Sequence, residues 1–152
     1  MGLSVILIAK DEEACIARAL RSVAWADEIV VVDSGSIDRT VDIARELGAR
    51  VIVAADWPGF GAQKNRALDL ATGAWVLSLD ADEWLSAPSA DEIRRALDVD
   101  VAGIAAYRLP RRSSFCGRFM RHSGWWPDYV VRLFRRGRAR FSDDIVHERL
   151  VV

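Results

Sequence analysis

The hydrophobic pattern of the first hundred residues alternates between two periodicities. Continuous apolar runs, typical of strands buried on both faces, cover residues 3–9, 28–33, 50–54 and 75–79. Apolar residues at helical spacing predict helices over residues 11–23, 38–47 and 63–71, and a capping-box pair, Ser89 and Glu92, indicates one more. This order predicts an α/β fold in which a mainly parallel sheet carries helices on both faces.

The pattern changes after about residue 104. Short strands are predicted at 105–109, 130–134 and 139–141, while 110–127 has the composition of a loop and 145–152 stays unassigned. Neither a repeat nor a low-complexity linker separates the two parts. We therefore expect one domain, with an α/β half at residues 1–104 and an Arg-rich region at residues 105–152.

Composition narrows the class of protein. The chain has 152 residues, of which 51% are hydrophobic and 28% charged, as in a soluble globular protein. No apolar run approaches the ~18 residues of a membrane-spanning helix. The first nine residues lack the basic flank of a signal peptide and lead directly into Lys10 and three acidic residues. A cytoplasmic protein is the resulting expectation.

The charge is distributed unevenly along the chain. Residues 1–107 contain 10 Lys or Arg and 18 Asp or Glu, whereas residues 108–152 contain 11 Arg and 4 Asp or Glu. A cationic half favours an anionic partner, such as a phosphorylated molecule or an acidic membrane surface. The alternative is a solvated charged face.

Polar and acidic residues follow three of the predicted strands. Ligands of parallel sheets bind beyond the carboxyl ends of the strands, so these residues are expected to converge. Asp80 and Asp82 follow the fourth strand, and two carboxylates there would repel each other unless a cation were bound. Hard oxygen ligands suit Mg²⁺ or Mn²⁺, with substrate phosphates completing the shell. The alternative is a solvated acidic turn.

Two further segments are expected at the same edge. Asp33 ends the second strand, where its carboxylate can accept hydrogen bonds from a nucleobase, and Gly35 can adopt the positive φ of a sharp turn. Lys64 opens the third predicted helix and could contact a diphosphate. Simple strand-to-helix turns and surface charge are the alternatives.

The Arg-rich region contains one acidic cluster, at residues 143–148. A sugar transfer needs a base for the acceptor hydroxyl, and a carboxylate of this cluster could serve. His147 could instead be a metal ligand. Trp125, Trp126 and the arginines, Arg132 among them, could form an acceptor site, since aromatic faces stack on sugars and arginines bind phosphate. A core cluster of tryptophans is the alternative.

The ordered motifs resemble those of family 2 glycosyltransferases. They are the segments 4–13, 33–40, 63–65 and 79–83. Within the family, the similarity is greatest to the lipopolysaccharide core glucosyltransferases, whose Gly-Trp-Trp-Pro, Arg-Leu-Phe and Val-His-Glu signatures occur here at 124–127, 132–134 and 146–148.

The resemblance implies a GT-A (Rossmann-like) fold, a UDP-sugar donor, a divalent metal and inversion at the anomeric carbon. It implies nucleotide-binding roles for Ala9, Glu12, Asp33, Gly35, Lys64 and Asp80, and metal binding by Asp82 with Asp80. Glu148 matches the position of the catalytic base, with Asp144 as the second candidate. A hexose, expected to be glucose, would pass to a glycolipid or phosphorylated saccharide such as the lipopolysaccharide inner core, at the inner face of the cytoplasmic membrane. No nucleic-acid partner is expected.

The sequence departs from the family pattern in three ways. Ser34 stands where many relatives have Asp, and Ile37 replaces the usual Thr. The chain also ends at Val152, whereas such relatives continue for many tens of residues, so we expect a fragment or a shortened relative.

Three other functions compete with sugar transfer. A sugar nucleotidyltransferase shares the sheet and the metal carboxylates but usually has a glycine-rich loop after the first strand, and residues 7–13 contain no glycine. A dinucleotide oxidoreductase lacks support because no G-x-G-x-x-G follows that strand. A non-catalytic module that binds a UDP-sugar or an anionic surface is the third alternative.

Overall fold

The computed structural model describes residues 2–110, 114–115, 129–142 and 150–151. Four helices lie in these ranges: α1 Ile16–Ser22, α2 Thr40–Glu46, α3 Phe60–Leu70 and α4 Ala87–Val99. The strands of the α/β half are β1 Leu3–Ala9, β2 Glu28–Asp33, β3 Arg50–Val53, β4 Trp75–Ser78 and β5 Glu83–Trp84. Those after residue 104 are β6 Ala106–Pro110, β7 Ser114–Phe115, β8 Tyr129–Arg135, β9 Arg140–Phe141 and β10 Leu150–Val151.

Six of these strands form one sheet in the order β3-β2-β1-β4-β8-β6. The first four are mutually parallel, as predicted, while β8 and β6 extend the sheet in antiparallel pairing. Since β8 pairs directly with β4, the region after residue 104 completes the sheet of the first half. Two short antiparallel pairs, β9 with β10 and β5 with β7, lie outside this sheet.

The core lies on both faces of the sheet. Alternate residues of β1 point to opposite faces: Leu3, Val5 and Leu7 contribute to one cluster, and Ile6 to the other. The first cluster includes residues of α1, α2 and α4, and the second includes residues of α3 and β9. Helices therefore cover both faces, which confirms the prediction and explains why the central strands are apolar throughout.

The helices begin at other residues than predicted. Helix α1 starts at Ile16 rather than near Asp11, because Asp11 has a φ of 52° that no helix continues. Helix α3 starts at Phe60, three residues before the predicted start, after Gly59. The cap of α4 is Ser86, whose hydroxyl accepts the N–H of Ser89, so the predicted capping role of Ser89 is wrong.

The direction of the strands decides which residues meet. The four parallel strands all end at one edge of the sheet, where the loops after β1, β2, β3 and β4 gather. Strand β8 runs the other way and pairs Leu133 with Leu77, so Arg132 falls beside the end of β4. This edge therefore receives residues from both parts of the chain.

Candidate functional site

An open cleft of about 320 Å³ lies at this edge of the sheet. Its lining residues are Ile8, Ala9, Lys10, Glu12, Ser34, Trp57, Phe60, Lys64, Asp80, Ala81 and Asp82. Five of the residues predicted from the sequence are therefore together in it: Ala9, Glu12, Lys64, Asp80 and Asp82. The convergence expected from parallel strand order is observed.

Asp80 lies between two cations. The Nζ of Lys64 is 3.7 Å from its Oδ1, and the Nη2 of Arg132 is 3.7 Å from its Oδ2. Both basic side chains are 15% exposed, while that of Asp80 is 41% exposed. The carboxylate therefore faces the open cleft, while the two cations approach it from the protein side.

Glu83 binds both Arg132 and the backbone of Asp80. Arg132 donates from Nη1 and Nη2 to its two oxygens at 2.6 and 2.9 Å, and the backbone N–H of Asp80 donates to Oε1 at 2.9 Å. The Glu83 side chain is 7% exposed. A planar guanidinium bound by two parallel bonds has a fixed orientation, so this pair sets the position of the cation beside Asp80.

Burial and neighbouring charges determine the protonation of this group. Burial raises the pKa of Glu83, the positive charge of Arg132 opposes this and the negative charge of Asp80 adds to it, leaving the pKa above its ordinary value. Burial lowers the pKa of Arg132, but the charges of Asp80 and Glu83 outweigh it and the guanidinium stays protonated. A permanent cation thus lies beside the two carboxylates at the end of β4.

The donor set at this position suits a divalent cation bound together with a phosphorylated ligand. Among the described residues, no group of three or more His, Cys, Asp or Glu is placed to hold a metal ion alone. Asp80 and Asp82 provide hard carboxylate oxygens on the cleft wall. Mg²⁺ is typically held in this way, by one or two carboxylates plus substrate phosphates and water.

Asp33 and Gly35 build the turn after β2. Asp33 is fully buried, and it accepts the N–H groups of Gly35 and Ser36 at 2.8 and 2.7 Å and the Ser36 hydroxyl at 2.5 Å. Gly35 has a φ of 97°, the positive value expected from the sequence. In this structure the Asp33 carboxylate holds the turn, and its contact with a nucleobase stays a prediction.

Hydrogen bonds join the turn after β2 to the loop after β1. Lys10 Nζ donates to the Gly35 carbonyl at 2.9 Å, and the backbone N–H of Asp11 donates to the Ser36 hydroxyl at 2.8 Å. The backbone N–H of Glu12 donates to Thr40 at 2.8 Å. These bonds cross-link the two loops, so the cleft wall near Ala9 and Glu12 is pre-organised.

Lys64 and the two polar residues that follow it on α3 have different roles. Lys64 faces the cleft, but it lies in the second turn because the helix begins earlier than predicted. Asn65 exchanges two hydrogen bonds of 3.0 Å with the backbone of Phe141 and so attaches β9 to α3. Arg66 pairs with Asp56 at 2.6 Å. Lys64 is thus the member of this group that lines the cleft.

Two groups of side chains in or beside the cleft have contacts that the sequence did not predict. The Glu83–Arg132 pair joins positions 49 residues apart and depends on the antiparallel placement of β8. Trp57 and Phe60 lie in a segment without strand or helix periodicity, and an exposed aromatic ring has no sequence signature. A signal for Glu83 existed, since it directly follows Asp80-Ala81-Asp82.

The remaining predicted residues divide into two groups. Trp125, Trp126, Asp144, His147 and Glu148 lie outside the described residues, so their acceptor, metal and catalytic roles stay predictions. Arg132 is described, and its contacts are with Glu83 and Asp80 at the cleft floor. Its acceptor role also stays a prediction.

Part of the positive charge of the second region is neutralised within the chain. Arg135 pairs with Asp100 at 2.6 Å, and Arg140 pairs with Asp69 at 2.9 Å. Arg135 lies beside Trp75 at the start of β4, which is the edge of the sheet opposite the cleft. Within the described ranges, no helix has the length and apolar character needed to span a membrane.

Comparison with known proteins identifies the family. The model of glycosyl transferase family 2 matches residues 4–151 of the chain. The chain belongs to this family. A glycosyltransferase of Rickettsia typhi, named as uncharacterized, is 50% identical over 94% of this chain and 49% of its own length. The lipopolysaccharide core biosynthesis glycosyltransferase LpsC of Rhizobium meliloti is 31% identical over 99% of this chain and 57% of its own length.

Solved structures agree with this assignment. TarS 1–349 of S. aureus in complex with UDP-GlcNAc superposes with a TM-score of 0.63 at 27% identity, covering 81% of this chain and 38% of the TarS 1–349 chain. Glucosyl-3-phosphoglycerate synthase of Mycobacterium tuberculosis, with Mn²⁺ and UDP, superposes with a TM-score of 0.57 at 30% identity, covering 68% of this chain and 42% of the synthase. These similarities confirm the GT-A fold. The chain spans about half the length of its Rickettsia typhi relative.

Proposed function

We propose that this chain binds a UDP-sugar in the cleft and transfers its hexose, glucose in our expectation, with inversion to a glycolipid or phosphorylated saccharide. The lipopolysaccharide inner core is the acceptor that we favour. The observation that carries the proposal is the gathering of Ala9, Glu12, Lys64, Asp80 and Asp82 in one cleft at the carboxyl ends of parallel strands.

The donor side of the proposal is supported by the charges of the cleft. The ammonium group of Lys64 is one cation on the cleft wall, and the guanidinium of Arg132 is a second cation beside Asp80. We infer that Asp82, with Asp80, holds Mg²⁺ or Mn²⁺, as the structural relatives solved with UDP and either ion suggest. Such an ion would neutralise the negative charge that develops on the departing diphosphate.

The chemical step is a direct displacement. A carboxylate, Glu148 or Asp144, accepts the proton of an acceptor hydroxyl, whose oxygen attacks the anomeric carbon from the face opposite the diphosphate. The new carbon–oxygen bond forms as the bond to the phosphate oxygen breaks, so UDP leaves with the bonding electrons. Inversion follows from this geometry.

The acceptor and its location are supported by similarity and by charge. LpsC, named as a lipopolysaccharide core enzyme, aligns with nearly all of this chain. Residues 108–152 contain 11 arginines, of which Arg132, Arg135 and Arg140 pair within the chain. This positive charge favours a phosphorylated acceptor, with Trp125 and Trp126 as the proposed sugar-stacking residues. A cytoplasmic protein working at the inner face of the cytoplasmic membrane fits this acceptor.

A binding module without turnover is the second candidate. Every lining residue that the structure describes in the cleft lies between Ile8 and Asp82, in the α/β half. The side chains that line the cleft therefore come from that half, with Arg132 beside Asp80 added from the second region, whereas transfer also needs a base and an acceptor surface. Family 2 membership favours either candidate over a nucleotidyltransferase.

Calorimetric titration with UDP and UDP-glucose, with and without Mn²⁺, tests donor binding. Our proposal predicts binding that depends on Mn²⁺ and is lost in Asp82→Ala but kept in the exposed control Asp91→Ala. Binding that persists fully in Asp82→Ala contradicts the metal role. Release of UDP from UDP-glucose upon addition of lipopolysaccharide inner core supports transfer, whereas binding without release favours the module.

A further inference from the structure

Two aromatic side chains of the cleft have no role in the function proposed above. Trp57 and Phe60 are 46% and 43% exposed, although both are large and apolar. Their rings meet edge to face, with centroids 4.9 Å apart and planes at 88°. Both rings line the cleft that also contains Lys64 and Asp80. Exposed apolar rings beside converging polar groups are typical of a ligand-binding wall.

The segment that carries these rings is held in place. Arg66 of α3 donates to both carboxylate oxygens of Asp56, at 3.1 and 2.6 Å, and also to Gln63 at 2.9 Å. Pro58 follows Trp57 and restricts the backbone. A ring fixed before binding loses little conformational freedom when a ligand contacts it, which favours affinity.

Helix α3 sets the rings at a defined distance from the cation of the cleft. Phe60 is its first residue and Lys64 is four residues later, so the two side chains lie on one face, about 6 Å apart along the axis. Lys64 Nζ lies 3.7 Å from Asp80. A ligand with a phosphate near Lys64 therefore has a flat apolar surface one helical turn away.

The strand order indicates which part of the donor meets this surface. The aromatic segment follows β3, and the metal carboxylates follow β4, three strands away in the order β3-β2-β1-β4. Strands are spaced by about 4.8 Å, so the ends of β3 and β4 are on the order of 14 Å apart across the sheet, and the aromatic segment approaches the cleft from the β3 side. The transferred hexose is bonded to the diphosphate and must stay near Asp80 and Asp82. The ring that extends towards β3 is the nucleobase at the other end.

We propose that Trp57 and Phe60 form a stacking wall for the nucleobase of the donor, and that they contribute to affinity for nucleotide over free diphosphate. This inference rests on the proposed function, because it assumes that the cleft binds a nucleoside diphosphate. Base–aromatic stacking depends on the π face of the ring and not on apolar volume alone.

Calorimetric titration with UDP, UDP-glucose and pyrophosphate, each with Mg²⁺, tests the stacking wall. Trp57→Ala is expected to weaken UDP binding by about 5- to 100-fold, as stacked bases do elsewhere. Phe60→Leu, which keeps apolar volume but loses the ring, is expected to weaken it as well, and Trp57→Phe less than Trp57→Ala. Pyrophosphate affinity should stay within about twofold, and so should every affinity of the control Val53→Ala, whose side chain is exposed on β3.

Four other titration results would contradict the stacking wall, its assignment to the base, or the proposed function. Unchanged UDP affinity in Trp57→Ala refutes the wall. Weaker UDP-glucose binding with unchanged UDP binding assigns the rings to the hexose and refutes the base assignment. An equal loss for pyrophosphate shows a structural effect on the cleft and also refutes it. If the wild-type chain binds pyrophosphate but neither UDP nor UDP-glucose, the proposed function itself fails.

Discussion

Replacing Glu83 by Gln is expected to have two measurable effects. Glutamine keeps the size of the side chain and its acceptor oxygen, but it removes the charge that faces Arg132 at 2.6 and 2.9 Å. The Glu83 and Arg132 side chains are 7% and 15% exposed, so water replaces the lost partner poorly. Removing one member of a buried ion pair costs about 3–5 kcal/mol, and the retained amide oxygen makes the lower end the expected value.

The second effect concerns the cleft. Without Glu83, the nearest carboxylate to Arg132 is Asp80, whose Oδ2 already lies 3.7 Å from its Nη2. We expect the guanidinium to move towards Asp80 and compete with a divalent cation. Glu83→Gln should therefore weaken Mn²⁺-dependent UDP binding by roughly tenfold, which is a change of about 1.4 kcal/mol.

Urea and thermal denaturation, both followed by circular dichroism, measure the first effect, and calorimetric titration measures the second. For a chain of this size, a loss of about 3 kcal/mol corresponds to a fall in Tm of roughly 6–12 °C. The matched control is Glu46→Gln, which breaks the exposed pair with Arg39, at 3.4 Å and with side chains 63% and 66% exposed. It should change stability by less than about 1 kcal/mol.

A double-mutant cycle tests whether Glu83 and Arg132 stabilise the fold as a pair. Arg132→Met in the Glu83→Gln background removes the uncompensated buried charge, so the double variant should be more stable than Glu83→Gln alone. If Glu83→Gln is as stable as the wild type, or if the two changes add independently, the buried pair does not organise the floor of the cleft.

The remaining predictions concern the turn after β2 and stability in acid. Gly35→Ala and Gly48→Ala should each lower the free energy of unfolding by about 1–2 kcal/mol, because both sites have positive φ, 97° and 89°. Calorimetry should show weaker UDP binding for Gly35→Ala alone. Equal UDP affinity in the two variants refutes a role of the turn after β2 in binding. Burial raises the pKa of Glu28, yet hydrogen bonds from Ser4 and Thr72 outweigh it and hold the pKa below its ordinary value of 4.5. The charged form thus stabilises the fold above pH 4.5, and this contribution is lost as the pH falls through the lowered pKa. Urea denaturation should therefore show the stability difference between wild type and Glu28→Gln disappearing below that point, and a constant difference in acid contradicts the assignment.

The central strands could be predicted because their sequences are unambiguous. The bounds of β1 and β2 are those predicted, and β3 and β4 end one residue early. Strands buried on both faces must be apolar along their whole length, so the sequence marks them clearly. The start of α3 was not predicted because its N-cap is Gly59. Glycine has no side chain that caps a helix through a hydrogen bond, so the sequence lacks the usual capping residue at this position.

The site also contains some residues that a sequence pattern marks and others that it does not. Ala9, Glu12, Lys64, Asp80 and Asp82 could be placed in one cleft because parallel strand order brings their loops to a common edge. The contact of Asp80 with Arg132 could not be found in this way, since Arg132 comes from β8, a strand far along the chain whose antiparallel pairing no local pattern specifies. The internal contacts of Asp33 were also unforeseen, because a carboxylate that binds its own turn and one that binds a ligand have the same sequence.

We propose that the end of β4 holds a metal ion together with the diphosphate of the donor. Crystals grown with UDP and Mn²⁺ test it directly, since anomalous scattering locates the manganese ion independently of the protein. We expect a single strong peak in the cleft, within a coordination distance of roughly 2.0–2.6 Å from Asp82 and from an oxygen of the diphosphate. UDP bound in the cleft with the manganese peak elsewhere, or with no peak beside Asp82, would contradict it.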